Sequence, residues 1–352
     1  MSCATLSCEP ARLRIRPPVV PEEAGLLDPD DRIDAAFAPV AAAIAAGRIP
    51  GAVLGVLEPD GSLRRRVAGY AQLVPERVAM RADTCFDLAS LTKPVFTTTA
   101  ILRLVAAGRI GLDDPLVVAI PDLRQYDVAG AAERRLTFRQ CLSHQTHLPA
   151  VEPLYTLGAD PATLRAFVLQ RAWTPGPPVY SDMNFILLGI AVERLTGRAL
   201  RDQPLPEGFT FAPDPAASAA TEHCTWRGRV MRGEVHDENA FAFGGVAGHA
   251  GLFGTADALL TFAAGVLAGH VPVGPRETDK RGLGWEMAYP GWSGGDVCGA
   301  DTIGHTGFTG TGLWIDRDVR RAWTLLTNRV HPSRFGESGI VALRREVGAG
   351  MG

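Results

Sequence analysis

Apolar residues recur at spacings of three and four through Ile33, Phe37, Val40 and Ile44. That period predicts a helix opened by Asp30 or Asp31 and running to Gly47, with Pro39 an irregularity inside it. The next apolar runs, 52–57 and 62–69, flank Pro59-Asp60-Gly61, a turn sequence that predicts a hairpin. From about Asp83 the period turns helical: Val95, Thr98, Leu102 and Val105 share a face that Gly108 can close. Further helices are expected at 136–143, 161–171, 184–195 and 256–268, separated by Pro- and Gly-rich connections. Strand character returns only near the end, at 304–306, 312–316 and 321–328, before a closing helix over about 338–347. The order predicts an α+β fold: an antiparallel sheet formed by the N- and C-terminal segments, flanked by helices, with a mostly helical inserted domain. The expected division is 29–118 plus 270–352 for the sheet domain and 119–269 for the insert, with 1–28, lacking sustained periodicity, as a tail or strap.

Composition narrows the classes. The 352 residues are 46% hydrophobic and 21% charged, ordinary globular usage. A net charge of −3 with no concentrated basic face argues against a nucleic-acid partner. The uncharged apolar stretch 258–269 is short of the roughly 20 residues needed to span a bilayer, so no membrane span is expected. The N-terminus shows no basic start followed by an apolar region, and the six cysteines form no CxxC; both favour a reduced, cytoplasmic chain. His236 and Glu238 match the HxE of zinc nucleobase deaminases, but the PCxxC that would complete that site is missing. No metal is expected.

Of the 35 Lys and Arg residues only Lys93 and Lys280 are lysines. Lysine can lose its proton near neutral pH when buried and arginine cannot, so a lysine kept in such a chain invites a chemical reading. Lys280 lies in the polar run 276–281 and reads as surface. Lys93 follows Ser90 by three residues where a helical pattern begins, so its amine can reach the Ser90 hydroxyl on one helix face. A serine alcohol needs a base to become nucleophilic, and a desolvated lysine is an accepted one. Pro94, lacking an N–H, places Ser90 at the first turn, where free amides favour a developing oxyanion. Two further elements join it: Tyr180-Ser181-Asp182 ahead of the helix at 184–195, and His305-Thr306-Gly307 opening a C-terminal strand. Read alone, Ser181 or Asp182 is an ordinary helix cap and Gly307 a strand-edge bend.

The order SxxK, YxD and HTG, with the tracts FDLASLTKPV, LSHQTHLP, PGPPVYSDMNFILLG, GEVHDENAFAFGGVAGHAGLF and LLTNRVHPSR, resembles the serine β-lactamase and penicillin-binding-protein superfamily over about 31–347. The likeness is to the class C-like branch that includes DD-peptidases and family VIII carboxylesterases. The resemblance implies that Ser90 attacks a carbonyl and forms an acyl-enzyme. Lys93 and Tyr180 would share the base work, with Tyr180 protonating the leaving group. Asp182, His305, Thr306, Gly307 and Phe308 would face the substrate, and the N–H groups of Ser90 and Phe308 would form the oxyanion hole. No metal or cofactor is implied; the partner is a small ester, amide or D-amino-acid peptide. A DD-carboxypeptidase or weak β-lactamase is the enzymatic alternative, and a penicillin-recognising sensor the non-enzymatic one.

The chain departs from that pattern in places. Asp182 stands where the lactamases carry Asn, and an ionised carboxylate cannot donate to an acylamino carbonyl, which argues against strong β-lactamase activity. His305 replaces Lys, His147 replaces a usual Gly, and the proline-bearing bridge 200–207 stands where relatives continue with a helix, leaving the cleft more open. The GxSxG around Ser293 lacks the strand-in, helix-out context of a nucleophile elbow and is set aside. His236, Asp237 and His249 are expected to brace and cap loops at the cleft.

Overall fold

The computed structural model describes residues 28–158 and 160–352; the expected tail or strap of 1–28 lies, but for Asp28, outside the described residues. Asp28 caps the first helix, α1 (Pro29–Ala45), its carboxylate accepting the Asp30 N–H at 2.9 Å. The cap falls earlier than Asp30 because Pro29 is suited to a first helical position, where its missing N–H has no partner to lose. The hairpin follows as β1 (Gly51–Leu57) and β2 (Leu63–Gln72), with Asp60 accepting the Ser62 N–H at 2.8 Å and Gly61 at a φ of 87°. After β3 (Val78–Ala79) and β4 (Phe86–Asp87) come α2 (Thr99–Ala106), α3 (Phe138–Leu142), α4 (Pro161–Gln170) and α5 (Asp182–Thr196). The middle of the chain adds β5 (Phe209–Thr210), β6 (Ala220–Cys224), β7 (Arg229–Arg232), α6 (Glu238–Ala242), β8 (Phe253–Gly254) and α7 (Ala256–Leu267). It closes with β9 (Glu286–Met287), β10 (Ile303–Thr306), β11 (Thr311–Asp316), β12 (Arg321–Thr327) and α8 (Ile340–Ala349).

Seven strands form one antiparallel sheet in the order β3-β2-β1-β12-β11-β10-β9, joining both ends of the chain. β1 is buried along its whole length, as a central strand covered on both faces must be. On one face α1 and α8 pack over Trp292, Trp314 and Trp323, the last two stacked across β11 and β12 with ring centroids 5.9 Å apart. The other face carries the larger core, into which α2, α5 and α7 pack. α5 is buried continuously from Met183 to Val192, so it is a central helix with little amphipathic signature.

Strand structure does not wait for the C-terminal end, as the period suggested. β4, β8 and β5 form a small sheet, and β6 pairs with β7. The two-residue strands β4, β5 and β8 carry no period to read, which is why their pairing is invisible in the sequence. The bridge at 200–207 begins with a single 3₁₀ turn, Leu200–Asp202. No helix among the described residues is long and apolar enough to cross a membrane.

Candidate active site

Ser90 sits in a 3₁₀ turn, Ala89–Leu91, that passes into a π-helical stretch, Lys93–Thr98, before α2 begins. The expected helix start is therefore two wider and tighter turns in series. Ala89 takes a φ of 47°, unusual for a residue with a Cβ. Its N–H is held at 2.8 Å by the buried Asp87 carboxylate, which also accepts the His236 N–H at 2.6 Å. Burial raises the Asp87 pKa.

Lys93 is fully buried behind Ser90. Its Nζ lies 2.8 Å from Ser90 Oγ, 2.8 Å from Asp182 Oδ1 and 3.4 Å from the His249 carbonyl. Burial alone would push the ammonium down; Asp182 beside it, with Tyr180, more than offsets this and holds it above the ordinary lysine value. The Lys93 ammonium stands 4.9 Å from the Tyr180 ring centroid.

The YxD element turns toward Lys93. Ser181 is the residue before α5, but its hydroxyl donates to Pro149 O at 2.6 Å and caps nothing; Asp182, the first residue of α5, turns its carboxylate to Lys93. Gly248 lets this happen: a Cβ there would stand 2.0 Å from Phe185 O, so only glycine allows the 248–249 loop to lie against α5 and bring the His249 carbonyl to Lys93.

The HTG strand is pinned to the segment leading into the Ser90 turn. Thr309 Oγ1 donates to Asp87 O at 2.8 Å and Thr311 Oγ1 to Leu88 O at 3.1 Å. A Cβ on Gly307 would lie 2.5 Å from Leu88 O, so the glycine is required by this close approach and is not a mere edge bend. Burial, then the Lys93 and Arg281 charges, hold His305 well below its ordinary pKa. It is neutral at pH 7, and its Nδ1 donates to Thr306 O at 3.0 Å.

Ser90, Tyr180, Asp182, His305, Thr306, Gly307 and Phe308 all line one cleft of about 730 Å³, with Lys93 directly behind its wall. Around it stand residues that sequence reasoning missed. His144 packs on the Tyr180 ring at 4.5 Å and accepts the Ser181 N–H at Nδ1, so its proton resides on Nε2. Burial first, then the Arg281 and Lys93 charges, keep it neutral. Arg281 stands over Tyr180 at 5.2 Å. Arg344 is buried, with Nη2 donating to Gly307 O and Thr311 O at 2.8 Å each; burial lowers its pKa to about 9. Arg329 and Arg334 flank the exposed Phe308 ring.

Asp237 caps α6 through the Ala240 N–H at 2.7 Å and pairs with His249 Nε2 at 2.9 Å, the bracing and capping expected of it. Asp182, Asp237 and His249 bring ligand atoms within 4.8 Å of one another, as do Glu222, Cys224 and Glu238. Protein partners already engage the carboxylates: Lys93 on Asp182, His249 on Asp237, Arg334 on Glu222 and Glu238. A cation at either place would have to displace them. Ser293 sits between β9 and β10, its hydroxyl bonded to Glu286 and to the Trp314 indole N–H, in no strand-to-helix elbow. Lys280 lies over the Tyr289 ring at 4.8 Å.

A sheet built from both chain ends, with an SxxK turn facing a YxD loop and an HTG strand, defines the β-lactamase and transpeptidase-like fold. The chain belongs to the Beta-lactamase family, whose model matches residues 33–346. It is 30% identical to an N-acetylmuramyl-L-alanine amidase of Bacillus subtilis (strain 168), over 82% of this chain and 79% of that protein. Among solved structures, a class C β-lactamase superposes with a TM-score of 0.71 at 17% identity, over 91% of this chain and 98% of its own. EstCE1, a hydrolase with promiscuous acyltransferase activity, gives 0.66 at 21% identity, over 91% and 99%.

Proposed function

We propose that the protein is a serine hydrolase that works through an acyl-enzyme on Ser90 and cleaves esters or small amides. The observation that carries this reading is the fully buried Lys93 Nζ at 2.8 Å from Ser90 Oγ on the wall of the cleft. Ser90 attacks the carbonyl carbon while its proton passes to the Lys93 and Tyr180 pair, and Tyr180 returns a proton to the leaving group as the C–O or C–N bond breaks. Water then repeats the sequence on the acyl-enzyme. The oxyanion is received at the junction of the Ala89–Leu91 turn and Phe308, segments tied together by Thr309 and Thr311.

The second reading is a peptidase or amidase acting on cell-wall peptides. It is favoured by the amidase relative and by the arginines at the cleft, Arg281 and Arg329 among them, which suit a substrate carboxylate.

Incubation with a fluorophosphonate followed by peptide mass spectrometry is expected to place the adduct on the peptide containing Ser90, and Ser90→Ala to remove it. An adduct on Ser293 instead would overturn the assignment. A panel of p-nitrophenyl esters, a chromogenic cephalosporin and D-alanyl peptides then separates the readings. Gly307→Ala, which forces a Cβ against Leu88 O, is expected to lower ester kcat/KM at least about tenfold, a loss of ~1.4 kcal/mol; wild-type rates in that variant would dissociate the HTG strand from catalysis.

A further inference from the structure

The Lys93 ammonium is surrounded by acceptors. Around its nitrogen stand Ser90 Oγ and Asp182 Oδ1 at 2.8 Å each and the His249 carbonyl at 3.4 Å. In this state nitrogen has no lone pair with which to take the Ser90 proton. Bulk water does not touch the ammonium directly, because Lys93 has no exposure and the Tyr180 and Phe185 rings lie over it at 4.9 and 5.8 Å. The proton must move to a neighbour. His144 and His305 are held neutral by burial, Arg281 is a cation beyond the Tyr180 ring, and Asp237 is engaged by His249. Asp182 is the carboxylate in contact.

We infer that Asp182 is the internal proton acceptor that turns Lys93 from a resting ammonium into the base for Ser90. This rests on the acyl-enzyme reading above and adds a catalytic residue to it. In the first step the Nζ–H bond facing Asp182 breaks and an O–H bond forms on its carboxylate, leaving an amine and a carboxylic acid. Two opposite charges become none, a change that a buried site favours relative to water. The amine rotates about Cε–Nζ, directs its lone pair at Ser90 Oγ and takes the hydroxyl proton as Oγ bonds to the substrate carbon. The carbonyl π pair moves to oxygen. The regenerated ammonium supplies, through Tyr180, the proton that the leaving group needs. Asp182 keeps its own proton through deacylation and returns it to Lys93 when the cycle closes. An asparagine in this position cannot take a proton, so the role belongs to the Asp variant of the motif.

The test is the pH dependence of kcat/KM for p-nitrophenyl acetate in wild type, Asp182→Asn, Asp182→Glu and Tyr180→Phe, with fluorophosphonate labelling of Ser90 run on each. In wild type the resting and reactive forms hold the same number of protons. Activity is therefore expected to stay level through neutral pH and to fall only on the acid side, where the site takes up an extra proton from solvent. In Asp182→Asn, Lys93 must give its proton to solvent, so the acid limb is expected to move upward by about two pH units or more. Relative to the variant's own value at pH 9, activity one pH unit below the moved limb is then about tenfold lower, and two units below it about a hundredfold lower. Asp182→Glu keeps the wild-type limb. The limb is read within each variant, so a smaller folded fraction cancels. A limb that moves down in Asp182→Asn, with neutral-pH activity rising, overturns the inference, since Asp182 then only holds the lysine charged. So does an unmoved limb with the loss confined to Tyr180→Phe. If wild-type Ser90 takes no label, the serine reading falls and the inference with it; labelled Ser90 with a downward limb removes the relay alone.

Discussion

Lys93→Arg is expected to abolish turnover almost as completely as Lys93→Ala. Arginine keeps the positive charge beside Ser90 and Asp182 but cannot become a base, since the guanidinium does not lose its proton in proteins. If Lys93 served only as a counter-ion for Asp182, the charge would suffice and the arginine variant would retain activity. The buried ammonium lies 2.8 Å from Ser90 Oγ, the contact that a base for Ser90 needs. Arginine is also bulkier, so thermal unfolding of both variants is measured alongside, and rates are compared per folded molecule. Loss of general base work accounts for about 10²- to 10⁴-fold in rate. An arginine variant that kept more than about a tenth of the wild-type kcat/KM, a barrier change below ~1.4 kcal/mol, would demote Lys93 to an electrostatic bystander.

What the sequence disclosed and what it hid divide by range. The helix period around Val95 and Leu102, the Pro59-Asp60-Gly61 turn and the apolar alternation of β11 and β12 are local signals, and the elements they announce are present within a few residues of their expected ends. Ser90 and Lys93 are likewise local, three residues apart on one turn. The retained lysine in an arginine-rich chain was the clearest compositional pointer to chemistry. The residues that surround Lys93 come from far along the chain. Asp182 and Tyr180 arrive on the loop before α5, and the His249 carbonyl arrives through a glycine contact with that helix. His144 lay in plain sight in the tract LSHQTHLP, yet nothing in its spacing said that it would pack on Tyr180. Arg281, beside Lys280 in a polar run, read as surface; only the fold brings its guanidinium over the Tyr180 ring. Asp87 is three residues before Ser90, but its role of holding Ala89 and the His236 loop together depends on a contact 149 residues away.

Substrate choice is expected to turn on the same carboxylate that faces Lys93. In the resting site, before any proton moves to it, the cleft-lining Asp182 is all acceptor and disfavours binding of the acylamino carbonyl of a β-lactam, whereas a simple ester lacks that carbonyl. Asp182→Asn is accordingly expected to raise kcat/KM for a chromogenic cephalosporin relative to that for a p-nitrophenyl ester. The substitution replaces a repulsion with a hydrogen-bond donor at a partly desolvated contact, a change of about 1 to 3 kcal/mol, or roughly five- to 150-fold. Any effect of Asp182 on proton movement is common to both substrates and cancels in the ratio, provided both are measured at about pH 9, where the asparagine variant has reached its plateau. Lost folding cancels too. A ratio that stays put or moves toward the ester would show that the carboxylate does not meet the acyl side of the substrate, and the case against β-lactam hydrolysis would lose its main support. A ratio that moves as expected gives Asp182 two separable tasks, one exercised on Lys93 and the other on the bound acyl group.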